Sequence, residues 1–215
     1  MSAEIFDAIK EGNAGRVLEL IEQSEGWRTA SQDGISPLMM ALYYGKSDIA
    51  QSLLEHDLSP SFHEACAVGR LDLVTRAAAA NPAVVNARSA DGFTALGLAI
   101  FFGQTPVARF LLDQGAEVNA QATNGQRVGA IHAAVSRKDR DMVSLLLGKG
   151  ADPNLRQERG FTPLHGAAAS GEKAIAELLL LHGADRTLLT EDGKSPADLA
   201  RERGHAELAD WMDNA

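Results

Sequence analysis

The sequence predicts an all-α solenoid of about seven helix–turn–helix repeats, and three observations lead there. A motif recurs at a nearly fixed period: Leu164-His165-Gly166-Ala167-Ala168 repeats, 33 residues earlier, as Ile131-His132-Ala133-Ala134. Behind each copy comes a leucine run, Leu145-Leu146-Leu147 and Leu178-Leu179-Leu180, and then Gly-Ala-Asp at 150–152 and 183–185. A glycine or its substitute closes the first helix of every repeat. A period near 33 identifies stacked supersecondary units, none of which buries its apolar stripe alone. Such stacks present extended surfaces in place of closed catalytic pockets.

The residue ending each first helix serves as a ruler. It falls at Gly12, Gly45, Gly69, Gly103, Lys138, Gly171 and Gly204, giving intervals of 33, 24, 34, 35, 33 and 33. The repeats are therefore bounded at about 1–32, 33–61, 62–90, 91–123, 124–158, 159–191 and 192–215, in a single domain. Thr162-Pro163 starts a helix well, because proline at the first turn gives up only a donor that is unpaired anyway. Small residues follow, so this inner helix can lie close to its neighbours, and Gly171 ends it. The outer helix, from about Glu172 to His182, spaces Ile175, Leu178 and Leu179 for one buried stripe. Gly183 stops it where a positive φ is cheap. Glu191-Asp192-Gly193 is a turn signal, read as the tip of a β-hairpin-like finger leading to the next repeat. The short interval between repeats two and three, where Ser59-Pro60-Ser61 runs into a helix at Phe62, predicts a missing finger. Two extra residues in 124–130 predict an enlarged one. The charged tail with Glu202, Arg203, Glu207, Asp210 and Asp213 suits a solvent-facing cap.

Thr-Pro-Leu-His, Gly-Ala-Asp and Asp-Gly at this spacing resemble the ankyrin-repeat family, in the style of compact bacterial stand-alone ankyrin proteins. The resemblance runs through essentially the whole chain, strongest over 159–191 and weakest in repeats one and three. It implies a rigid concave face that binds a partner protein without catalysis.

Composition narrows the function class. The chain is 45% hydrophobic and 23% charged, as expected of a folded protein. It has no apolar run long enough to span a membrane, and its start lacks the basic and apolar regions of a signal peptide. One cysteine, Cys66, excludes an internal disulfide and suits a reducing compartment, so a cytoplasmic location is expected. A net charge of −9 argues against nucleic acid as the main partner. The charge is uneven, however. Residues 124–190 carry 9 basic and 7 acidic residues, while 1–61 carry 4 and 10, leaving a basic island between acidic ends.

No catalytic, cofactor or metal site is predicted. His63, His132 and His165 share one register, where the family resemblance implies a structural ring that bonds the finger. His56, His182 and His205 fall near helix ends. There is no short-spaced metal-ligand motif, no phosphate-binding glycine loop and no nucleophile elbow. Cys66 lies in an inner helix and reads as a small buried residue; a nucleophile there would need a base and an electropositive setting.

The resemblance also says where a partner would sit: on the fingers and on the two residues before each ruler position. These are Ile35, Tyr43 and Tyr44 in repeat two, Ala67 and Val68 in repeat three, and Arg88, Asp91, Phe93, Phe101 and Phe102 in repeat four. Ser136 and Arg137 follow in repeat five, then Phe161, Ala169 and Ser170 in repeat six. Both tyrosines and four of the seven phenylalanines fall in this set. Aromatic anchors dominate many interfaces, so a groove across repeats two to four is one reading. Local packing of one ring of each pair over the missing finger is the other. Arg127, Arg137, Arg156 and Arg159 extend the surface, either as a basic rim for carboxylates or phosphates or as a solvated edge balanced by Asp139, Asp141 and Glu158. The expected partner is a protein, with the chain itself a monomer or weak homodimer. A regulatory or inhibitory subunit of an enzyme and a self-associating scaffold are the alternatives.

Overall fold

The computed structural model describes residues 2–56 and 59–214, and of Ser2 the backbone alone. Helices come in sequential pairs: α1 Ser2–Glu11 and α2 Ala14–Gln23, α3 Pro37–Tyr43 and α4 Ser47–Glu55, α5 Phe62–Val68 and α6 Leu71–Ala80, α7 Ala95–Phe101 and α8 Thr105–Asp113. Then follow α9 Ala130–Ser136 and α10 Arg140–Gly148, α11 Pro163–Ala169 and α12 Lys173–Leu181, α13 Pro196–Glu202 and α14 Ala206–Asn214. Among the described residues there are no extended strands. Isolated antiparallel bridges join Gln32 to Ile35, Arg88 to Thr94 and Gln121 to Gly129. Asp57 and Leu58, in the segment where the sequence places a missing finger, lie outside the described residues.

Every ruler residue occupies the left-handed region, with φ from 60° to 85°. The reason is shared. The chain must reverse between two antiparallel helices within two or three residues, and amides of the ruler residues bond back to the helix they leave, as Gly103 does to Ile100 (2.9 Å) and Gly171 to Ala168 (3.2 Å). Lys138 adopts this conformation at φ 60° without glycine's freedom. Caps fix the other ends. Ser36 accepts from the Met39 amide, Thr94 from Gly97, Asp139 from Met142 and Ser195 from Asp198.

The chain forms two compact bodies, divided between Ala65 and Cys66. In the N-terminal body α1 packs on α3 and α2 on α4, burying Phe6, Ile9, Leu38, Ile49 and Leu53. Glu64 is buried there and accepts from the Ser36 hydroxyl (2.5 Å) and the Ser61 amide (2.7 Å). In the C-terminal body the inner helices α7, α9, α11 and α13 pack in sequence order. The outer helices form a second layer, α6 on α8 and α10 on α12. Leu98, Leu111, Ile131, Leu146, Leu164 and Ile175 fill the space between the layers.

A ladder of asparagines ties successive repeats of the C-terminal body. Asn86 donates to the Gly115 carbonyl and accepts from the Glu117 amide. Asn119 does the same with Gly150 and Asp152, and Asn154 with Gly183 and Asp185. Each side-chain amide thus satisfies two backbone groups that the end of the next outer helix leaves open.

Candidate functional site

The histidines of the shared register are built into the C-terminal body. His132 Nδ1 accepts from the Gly129 amide (3.3 Å) and Nε2 donates to the Leu155 carbonyl (2.9 Å). His165 Nδ1 accepts from the Thr162 amide (3.2 Å) and hydroxyl (2.8 Å), and Nε2 donates to the Lys194 carbonyl (3.1 Å). A backbone amide only donates and a carbonyl only accepts, so both rings are fixed as the neutral Nε2–H tautomer. Burial pushes the His132 pKa down to about 4, against the pull of the Leu155 carbonyl. His165 is lowered as well, first by burial and also by the charge of Arg156. Each ring bonds the start of its helix to the loop that leads into the next inner helix. In the N-terminal body His63 stands edge-on to Phe62, with ring centroids 5.6 Å apart. His56 and His182 cap their own helices by bonding the carbonyls of Ser52 and Leu178.

Cys66 is fully buried, and desolvation pushes its thiol up to about 12, the opposite of a nucleophile's setting. Among the described residues no group of three or more His, Cys, Asp and Glu is placed to hold a metal.

The expected contact residues divide between the bodies. In the N-terminal body Tyr44 is 52% exposed, while Tyr43 and Ile35 are half-buried. In the C-terminal body Phe101 is 46% exposed, and Phe102, Phe93 and Phe161 are half-buried. Phe102 supports Phe101 edge-on, with ring centroids 5.0 Å apart. Exposure is therefore exchanged between the pairs: the second ring faces solvent in repeat two and the first in repeat four. Phe161 packs on His165, centroids 5.8 Å apart.

A cavity of about 300 Å³ opens beside Phe101, between α9, α11 and their fingers. Val128, Val135, Pro163, Gly166 and Ala169 supply apolar lining, and Ser136, Gln157 and Ser170 the polar edge. Gly166 keeps it open; a Cβ there would come within 3.2 Å of Val135 Cγ1. Ser136, Ala169 and Ser170 belong to positions named from the sequence, whereas Val128 and Gln157 do not.

The four arginines are not equivalent. Arg137 Nη1 donates to the Phe101 carbonyl (3.0 Å), which holds the guanidinium over the end of α7 and against Gly103. The backbone carbonyls of Arg127 and Arg156 both accept from Gln121 Nε2, at 2.6 and 2.7 Å, so one side chain ties the loop before α9 to the loop before α11. Arg156 also donates to the Leu189 carbonyl. Arg159 instead pairs with Asp192 of the following finger. Gln121 carries no signal in the sequence beyond its place before the segment 124–130.

A family profile described as "Ankyrin repeats (3 copies)" matches residues 5–122 and 131–213, and a second, "Ankyrin repeats (many copies)", matches 102–147. The chain belongs to the ankyrin-repeat family. Its relatives include a putative ankyrin repeat-containing protein of Treponema pallidum (strain Nichols), 33% identical over 127 residues, which are 55% of this chain and 42% of that protein. Ankyrin repeat and SAM domain-containing protein 6 of Rattus norvegicus is 33% identical over 109 residues, covering 50% of this chain and 12% of its own length. BCL-6 corepressor-like protein 1 of Homo sapiens is 40% identical over 80 residues, 37% of this chain and 4% of the relative. The chain thus spans less than half of each of these relatives. Ankyrin repeats are generally protein–protein interaction modules. Among the described residues no helix is long and apolar enough to cross a membrane.

Proposed function

We propose that this ankyrin-repeat chain is a non-catalytic module that binds a protein partner on the inner-helix face of its C-terminal body, with Phe101 as the anchor. The observation that carries this reading is an aromatic ring held out to solvent. Phe101 stays 46% exposed beside an apolar cavity, propped by Phe102 and with Arg137 bonded to its own carbonyl. An exposed aromatic next to an apolar hollow recovers the energy of burial when a partner covers both. The inner helices and fingers are already in place, so binding does not have to order them first. Ile35, Tyr43 and Tyr44 of the N-terminal body form a separate set of candidate contacts. Phe93, Phe161 and the finger arginines Arg127, Arg156 and Arg159 accompany Phe101 in the C-terminal body.

Phe101→Ala tests this. The expected result is loss of about 2 kcal/mol of partner affinity, roughly thirtyfold in Kd, with a melting temperature close to wild type. Capture of partner from native lysate, followed by titration calorimetry with the purified protein, gives both numbers. An unchanged Kd would remove Phe101 from the interface. A variant that melts far below wild type would make the ring part of the core.

A further inference from the structure

The cavity beside Phe101 is lined mainly by apolar side chains, and the Arg137 guanidinium bonds the carbonyl of one lining residue, Phe101. Three of its lining residues each adjoin an arginine in the chain: Val128 follows Arg127, Ser136 precedes Arg137 and Gln157 follows Arg156. All three arginines are exposed, and none of them makes an ion pair among the described residues. Their side chains bond only neutral oxygens: the Gln121 amide (3.5 Å), the Phe101 carbonyl (3.0 Å) and the Leu189 carbonyl (3.2 Å). Other cations of this body do find carboxylates, Lys138 with Glu172, Lys149 with Asp113 and Arg159 with Asp192. Asp139 and Glu158 each lie two residues from one of these arginines: Asp139 is half-buried and caps α10, and Glu158 is exposed. Asp185 feels the charge of Arg156, which helps to lower its pKa after its bonds to Thr187. The chain as a whole carries −9, so these arginines run against its overall charge.

We infer that the partner presents an acidic, extended segment with one aliphatic side chain: the aliphatic group enters the cavity against Val135 and Gly166, and carboxylates on either side meet Arg127, Arg137 and Arg156. This inference rests on the proposed binding face and adds the chemistry of what it binds. The volume suits a single side chain such as leucine or methionine and is at the lower limit for a ligand site. A guanidinium already bonded to a carbonyl keeps other N–H groups directed outward, and it pairs best with a planar carboxylate. Cationic groups at an interface steer encounter and select the sign of the partner more than they add raw affinity.

Two synthetic decapeptides test the assignment, one with glutamates around a central leucine and one with lysines in their place. Each is titrated into the ¹⁵N-labelled chain of residues 1–215. The acidic peptide is expected to shift the amides of Ser136, Gly166 and Ser170 saturably, and to bind more weakly as salt rises. The lysine peptide is expected to leave them in place. Arg137→Glu should weaken the acidic peptide about tenfold, and Arg137→Gln should weaken it less. Equal shifts with both peptides, shifts confined to the outer helices, or an Arg137→Glu variant with unchanged Kd would each overturn the inference. If the acidic peptide produces no shifts while partner capture still depends on Phe101, the charge assignment falls and the binding face stands. If capture is also indifferent to Phe101, both fall.

Discussion

Leu146→Ala is expected to cost about 3 kcal/mol of stability in the C-terminal body, among the largest effects available to one substitution. Leu146 is fully buried on α10, between the outer layer and the inner helices. Truncation removes the transfer energy of three carbons and leaves a void that the clamped repeats close only in part, because Asn119 and Asn154 fix the spacing on either side. Each body carries one tryptophan, Trp27 or Trp211. Urea unfolding followed by Trp211 fluorescence in a Trp27→Phe background therefore reports the body that holds Leu146. Leu181→Ala is the control. That side chain is 80% exposed, and its loss should fall within about 0.5 kcal/mol of wild type. Equal shifts for the two variants would mean that the leucine run is not the core.

The second large effect is with pH. His132 is neutral in the fold, with its pKa lowered from the usual 6.5 to about 4, first by burial. Unfolding returns it to water and to its ordinary value. The unfolded chain then binds a proton that the folded one refuses, so this contribution is complete above pH 6.5 and is lost as pH falls toward 4. The full loss is on the order of 3 kcal/mol, with a slope approaching 1.4 kcal/mol per pH unit. Asp152 nearby favours the charged ring but does not offset burial. His165 adds a loss in the same direction. Stability measured across pH 4–7 should therefore fall more steeply for wild type than for His132→Gln, by about one proton. Parallel slopes would show that the ring is already protonated or solvated in the fold.

Much of this architecture is legible in the sequence because a repeat exposes its own rules. The ruler residues mark where the chain must turn within a few residues, and all seven sit at positive φ, Lys138 included. The shared histidine register marks bonds between helix starts and the following loops, seen at His132 and His165. Cys66 is the small buried side chain its register suggests. Features set by the following repeat are less legible. The asparagine ladder at 86, 119 and 154 has the repeat's spacing and was available as a signal, yet its bonds run to the following repeat. The tie made by Gln121 and the neutralisation of Arg159 by Asp192 likewise depend on which loop lies alongside. Register alone did not separate Tyr44 from Tyr43, or Phe101 from Phe102. The two pairs differ: the second ring is the more exposed in repeat two and the first in repeat four.

The most direct test of the proposed binding face is amide hydrogen exchange on the chain alone and with its captured partner. Protection concentrated in residues 130–137, 163–170 and the fingers carrying Arg127 and Arg156 is the predicted result. Protection on the outer helices α8, α10 and α12, with the inner helices unchanged, would contradict it and move the binding surface to the opposite layer.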